Sequence, residues 1–341
     1  MESDLVVALG GELSEYEINL LVRNFIDTPN KFMTTESSKL SGLIKKPLDA
    51  IGEIKLQLIK RHIKFQTLYQ RNEDIMSISQ YGTGIETLDR MLKNILLPLQ
   101  DNRVWELCGI IGTGKTELLY TLAVNFVCKS KCTQEVLFID TKNDFSVRRV
   151  HDILRERKLN KDDRDNALRA IKVIEVHTEL TILAVLEELY KKLRAERTSP
   201  NIRLVLVDSL PACRVGFSSD DERWESCCLL TQLASLVRRL ATQYHVAFVI
   251  GNLCFSQQDE NVNPDTYNYG YCDDSQPQTL QQDRLMLGRY WSTVSTLRLA
   301  LEHPQNTNCS DDDIRLVKVL KNCYGPSGET CLVRITDAGV V

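Results

Sequence analysis

The segment Gly109-Ile110-Ile111-Gly112-Thr113-Gly114-Lys115-Thr116 constrains this chain more than any other, because it satisfies G-x-x-x-x-G-K-[ST] at every required position. Its glycines let successive backbone N–H groups turn inward around a phosphate at the positive end of the helix that follows. In such a loop Lys115 reaches the β- and γ-phosphates of a bound nucleotide, and the Thr116 hydroxyl is a ligand for Mg2+. The flanks agree with the motif. An apolar run, Val104–Cys108, leads in, and a helix-forming run, Glu117–Val127, leads out. A buried strand, a phosphate loop and a helix in that order belong to a sheet covered by helices.

The remaining apolar runs extend that reading. Arg103–Cys108, Glu135–Asp140, Ala170–His177, Arg203–Asp208 and Val246–Asn252 are short and β-rich, and helical stretches separate them. This alternation predicts an α/β core with a mostly parallel sheet. Three further runs, Thr293–Leu301, Arg315–Lys321 and Thr330–Thr336, follow with short connections and should add strands as a meander.

The N-terminal part reads differently. Ser14 and Glu17 form a capping-box pattern ahead of Ile18, Leu21, Val22 and Phe25, and Pro29 is expected to end that helix. Pro47 suits the first turn of another helix, with Ile51, Ile54, Leu58 and Ile59 as its apolar stripe. The division predicted is a small helical domain over 1–62, a linker over 63–79 and the P-loop core over 80–341.

Charge narrows the function. Forty-two basic against 46 acidic residues leave a net −4, which gives no global field for holding a polyanion. Seven basic and two acidic residues lie between Lys45 and Arg71, so the positive charge is local to the helical part. No apolar run reaches the roughly 20 residues that span a bilayer, and no basic segment precedes an apolar stretch near Met1, so an intracellular protein without membrane contact is expected. The 11 cysteines include no C-x-x-C pair, so they read as small buried hydrophobes rather than a zinc site.

A P-loop also needs an acid at the C-terminal tip of a neighbouring strand to complete the Mg2+ shell. Leu204-Val205-Leu206-Val207-Asp208 supplies one, and Leu137-Phe138-Ile139-Asp140 has the same form. Spacing alone does not choose between Asp208 and Asp140.

The order of motifs resembles the RecA-type recombinase family in its eukaryotic form. Gly82-Thr83-Gly84-Ile85-Glu86-Thr87-Leu88-Asp89 precedes the loop, as a T-G-x-x-x-L-D segment does there. Leu287-Gly288-Arg289-Tyr290-Trp291-Ser292, ahead of Thr296-Leu297-Arg298-Leu299, resembles the D-type recombinase paralogue more than the recombinase itself. The resemblance implies that Gly109 through Thr116 form Walker A and that Asp208 is the Walker B acid. It also identifies two departures. The position of the family's catalytic glutamate is Lys142, and a lysine at its normal pKa cannot take a proton from water. The position of the polar sensor is Leu253, which neither donates nor accepts.

The loops that hold DNA in that family are poor in cations here. Residues 211–223 offer Arg214 and Arg223, while 254–286 carry six acidic residues and one arginine, Arg284, around Tyr267, Tyr269 and Tyr271. The family's end-to-end joint, Phe-x-x-Ala, has only Phe65-Gln66-Thr67-Leu68 as its counterpart. What the resemblance implies is a nuclear ATP-binding adaptor with weak or absent hydrolysis, partnered by other recombinase paralogues and the recombinase itself. It would reach single-stranded DNA mainly through that complex and serve homologous recombination in mitotic or meiotic cells. Two readings compete with it: a DNA-stimulated ATPase that performs strand exchange itself, and another RecA-core P-loop enzyme such as a helicase.

Overall fold

The computed structural model describes residues 4–62, 82–93, 103–157, 159–195, 201–214, 220–254, 285–304 and 312–341. The chain forms two compact units, 1–77 and 78–341.

The first unit is helical: α1 (Asp4–Leu9), α2 (Glu15–Arg23), α3 (Pro29–Thr34), α4 (Ser37–Ile44) and α5 (Leu48–His62). Its core gathers Leu5, Leu9, Ile18, Leu21, Phe32, Leu40, Ile51, Ile54 and Leu58. The capping box forms as its residues require. The Glu17 N–H donates to the Ser14 hydroxyl, and the Ser14 N–H donates to Glu17 Oε2 at 2.7 Å. Pro29 departs from expectation, since it starts α3 behind the Thr28 cap instead of ending α2. Proline's fixed φ suits a first helical position, and α2 has already stopped at Asn24, before Phe25 turns left-handed at φ 62°. Ile59 also departs from the stripe; it is 44% exposed, because Ile51, Ile54 and Leu58 already fill the buried face of α5.

The second unit is built on one nine-stranded sheet. Its strands are β1 (Val104–Cys108), β2 (Glu135–Asp140), β3 (Ile171–Glu175), β4 (Ile202–Asp208), β5 (Ala247–Gly251), β6 (Leu297–Glu302), β7 (Ile314–Asn322), β8 (Thr330–Thr336) and β9 (Gly339–Val340). In space they run β3-β2-β4-β5-β1-β6-β7-β8-β9. Pairing is parallel from β3 across to β6 and antiparallel from β6 to β9. This is the α/β core with a mostly parallel sheet that the apolar runs implied, closed by a meander. β6 begins only at Leu297, because the residues before it fold into a short helix, α12 (Gly288–Ser292), whose Trp291 is fully buried.

Helices cover both faces, which is why β1 and β5 are buried along their whole lengths. One face carries α6 (Glu86–Lys93), α7 (Lys115–Lys129), α8 (Val147–Glu156) and α9 (Lys161–Ala170), and the other carries α10 (Glu179–Ala195) and α11 (Asp220–Tyr244). Among the described residues no helix is long and apolar enough to cross a membrane.

α7 is the pivot of this core. Every residue from Leu118 to Val127 is buried, as suits a helix that is apolar nearly all round. Its two polar members there are paired. Thr121 Oγ1 donates to the Glu117 carbonyl and accepts from the Val340 N–H, both at 2.8 Å. Asn125 Nδ2 donates to the Thr83 carbonyl at 2.9 Å. That bond explains the Thr83-Gly84 segment physically. The Asp89 carboxylate holds the Thr83 and Gly84 N–H groups at 2.6 and 3.0 Å, and Gly84 sits at φ 81° with Asn125 filling the space a side chain would need. The motif thus fastens α6 to the helix that follows the phosphate loop.

Candidate functional site

The phosphate loop runs from β1 into α7. Gly112 and Gly114 adopt φ 84° and 90°, and a Cβ on Gly114 would collide with Ile335 of β8. The positive φ at 114 therefore favours glycine there. A fifteen-residue helix starts at Lys115, so its free N–H groups and positive end face the loop. Lys115 is buried, and its Nζ donates to the Gly109 and Ile110 carbonyls at 2.8 and 2.7 Å. Burial pushes this ammonium below its ordinary pKa. Thr113 is buried too, its hydroxyl donating to the Ile110 carbonyl at 3.0 Å. Ile110 and Ile111 turn outward, with Ile111 85% exposed.

The two acids that spacing left equivalent have different jobs. Asp208, 2% exposed at the tip of β4, accepts the Thr116 hydroxyl on Oδ2 at 2.7 Å. Asp140 Oδ1 accepts the Lys142 and Asn143 N–H groups, both at 3.0 Å, and its Oδ2 accepts that of Phe145 at 2.8 Å. It is the cap of the turn after β2. β4 is not the strand beside β1, as the simple P-loop expectation had it; β5 lies between them. Asp208 reaches Thr116 because it stands at the very end of its strand.

Lys142 lies in the same corner. β2 pairs with β4 so that Asp140 is opposite Asp208, and Thr141 Oγ1 bonds the Asp208 and Ser209 carbonyls at 2.9 and 2.7 Å. The next side chain then points at Thr116 and Asp208. Its Nζ is 3.1 Å from Asp208 Oδ2, 3.2 Å from Asp144 Oδ2 and 3.3 Å from Thr116 Oγ1. Burial works to lower this ammonium's pKa, but Asp208 and Asp144 outweigh it and hold the group above its ordinary value. The turn that carries Lys142 is itself braced. Phe145 packs edge-on against Tyr120 and Phe138 at 5.2 and 4.8 Å, and the Tyr120 hydroxyl accepts the Ser146 N–H. Burial raises the Tyr120 phenol to about 12.

Mg2+ fits this corner poorly. Thr116 Oγ1 and Asp208 Oδ2 are the right kind of oxygen donors, but Mg2+ demands them at about 2.1 Å in an octahedron. Here a full positive charge already stands within 3.3 Å of both.

A second polar cluster escaped the sequence reading. Glu106, buried in β1, accepts Asn252 Nδ2 on one oxygen at 2.6 Å and Arg298 Nε on the other at 2.9 Å. Arg298 stands directly opposite it on β6. One signal was available: an acid in the middle of the apolar run Val104–Cys108 must find partners. Leu253, after Asn252, brings no polar group to this strand end. Cys108 is fully buried, and burial pushes its thiol well above the ordinary value, so it is inert. None of the nine described cysteines is in a disulfide.

Several expected features lie outside the described residues: the linker 63–79 with Phe65–Leu68, the tyrosines and acids of 255–284, Gly216 and Phe217, and the side chains of Arg214, Arg223 and Arg289.

A family model described as Rad51 matches residues 71–340. The Bos taurus protein described as "DNA repair protein RAD51 homolog 4" is 27% identical over 249 residues, which cover 72% of this chain and 68% of that protein. The Mus musculus protein of the same description is 25% identical over 307 residues, covering 89% and 85%. With the P-loop on a nine-stranded RecA-like sheet and the family match spanning nearly the whole second unit, the chain belongs to the Rad51 family, as a recombinase paralogue resembling the D-type.

Proposed function

We propose that this chain is an ATP-binding adaptor of homologous recombination and DNA double-strand break repair. It works in the nucleus, inside a heteromeric complex with other recombinase paralogues that assists recombinase filaments. Gly109 through Thr116 would hold the triphosphate, with Lys115 neutralising its β- and γ-oxygens and Asp208 orienting the Thr116 hydroxyl. The relatives described as DNA repair proteins support the process, and the Rad51 family match supports ATP as the ligand.

One observation carries the adaptor reading: Lys142 Nζ stands 3.1 Å from Asp208, where a working ATPase of this fold needs an acid to activate water. A protonated amine has no lone pair for that proton. Bound nucleotide would therefore persist and serve as part of a joint between chains.

The test is Lys115→Ala in the full chain, followed by nucleotide-binding titration and by co-purification of partners from cells. Nucleotide binding should be lost and partner recovery should fall severalfold. Undiminished partner recovery in a protein that has lost nucleotide would overturn the adaptor mechanism.

A further inference from the structure

The corner formed by Thr116, Asp208 and Asp144 already contains its own cation. We infer that the Lys142 ammonium replaces the divalent ion at this nucleotide site, so that this chain binds a nucleoside triphosphate without needing Mg2+. The inference rests on the nucleotide-binding reading above and specifies its ion requirement.

Three facts support it. The ammonium contacts Thr116 Oγ1 and Asp208 Oδ2, the two groups that a P-loop site offers to the metal, at 3.3 and 3.1 Å. It is held there from the backbone up. The Lys142 N–H is tied to Asp140, the neighbouring Thr141 hydroxyl is tied to the β4 tip, and Phe145 anchors the turn on α7. Last, the charge is favourable. Asp208 is 2% exposed and lies next to the phosphate loop, so the Lys142 ammonium adds to Lys115 in offsetting the repulsion between that carboxylate and a triphosphate.

The ammonium also has a donor to give. An ammonium carries three N–H bonds, and here their acceptors are Asp208, Thr116 and Asp144. The Asp144 carboxylate is 54% exposed, and such surface pairs are weak. Exchanging it for a phosphate oxygen leaves the contacts with Asp208 and Thr116 intact. The lysine then bridges protein and phosphate, as a metal ion does with its own ligands.

The experiment measures affinity for a non-hydrolysable ATP analogue, in Mg2+ and in EDTA, for the wild type, Lys142→Met and Lys142→Arg, with Lys115→Ala as the site control. Wild type should bind within about threefold in the two buffers, and Lys142→Arg should resemble it. Lys142→Met should bind tenfold or more weakly in EDTA and recover in Mg2+. Wild-type affinity that falls tenfold in EDTA overturns the inference while leaving nucleotide binding intact. Equal binding of Lys142→Met and wild type in EDTA overturns it as well. No saturable, Lys115-dependent binding in either buffer overturns the nucleotide reading together with the inference. Thermal melting of each variant without nucleotide separates a folding defect from a lost contact, and Lys142→Arg supplies the folded, charge-retaining comparison.

Discussion

Single residues in this protein are decided by the partner that burial assigns them. Asp208 and Asp140 end strands of the same pattern, yet one accepts a hydroxyl from the phosphate loop and the other caps a turn. Glu106 shows the energetic consequence most directly. A carboxylate 1% exposed in the central sheet is tolerable only because Arg298 and Asn252 saturate both its oxygens. Arg298→Ala should therefore lower the unfolding free energy by about 3–5 kcal/mol, since it strands a buried charge. The double variant Glu106→Gln/Arg298→Met should recover most of that loss. Urea unfolding followed by circular dichroism measures both; a loss below about 1 kcal/mol for the single variant would mean that Glu106 finds other compensation.

At the scale of elements, local chemistry and tertiary support can be separated. The start of α2 is local. Ser14, Glu17 and the helix they cap lie within one turn, so the sequence pattern specifies the structure completely. Burial raises the Glu17 carboxyl, but the bonds from the Ser14 N–H and hydroxyl and the contact with Lys46 more than offset it, leaving the group below its ordinary value. A lowered acid pKa stabilises the fold above its ordinary value of 4.5 and loses that contribution as pH falls through the folded value. Ser14→Ala should cost about 1 kcal/mol at neutral pH, and the difference from wild type should shrink below pH 4.5. A pH series of thermal melts reads this directly. The meander that closes the sheet is not local. Arg149 of α8 donates to both Glu117 oxygens and to the Thr336 and Asp337 carbonyls, pinning the β8–β9 turn to the P-loop helix. Nothing in the sequence around Arg149 announces that role, because its partners lie 32 and about 187 residues away. The short strand β9 was invisible for the same reason.

For the whole molecule, the distribution of charge matters more than the net −4. The basic excess lies in the segment 45–71, whereas the 254–286 segment is acidic, a placement that supports the proposal that DNA is reached through partner chains. Its own chemistry should be equally muted. With Lys142 beside Asp208, purified protein should hydrolyse ATP no faster than roughly 10⁻³ s⁻¹, the scale of an unassisted P-loop protein. A DNA-stimulated turnover near 1 s⁻¹ in a phosphate-release assay would instead identify an enzyme. The sequence by itself determined the phosphate loop, the strand runs, the helical first unit and the order of motifs, because each is written in contiguous residues whose backbone preferences act locally. The resemblance to the family marked Lys142 and Leu253 as departures. Only the tertiary structure decided that Asp208 meets Thr116, that Lys142 fills the corner beside them and that Glu106 pairs with Arg298. Those contacts depend on which strands become neighbours, and strand order is settled by packing helices on both faces of the sheet rather than by any residue's own propensity.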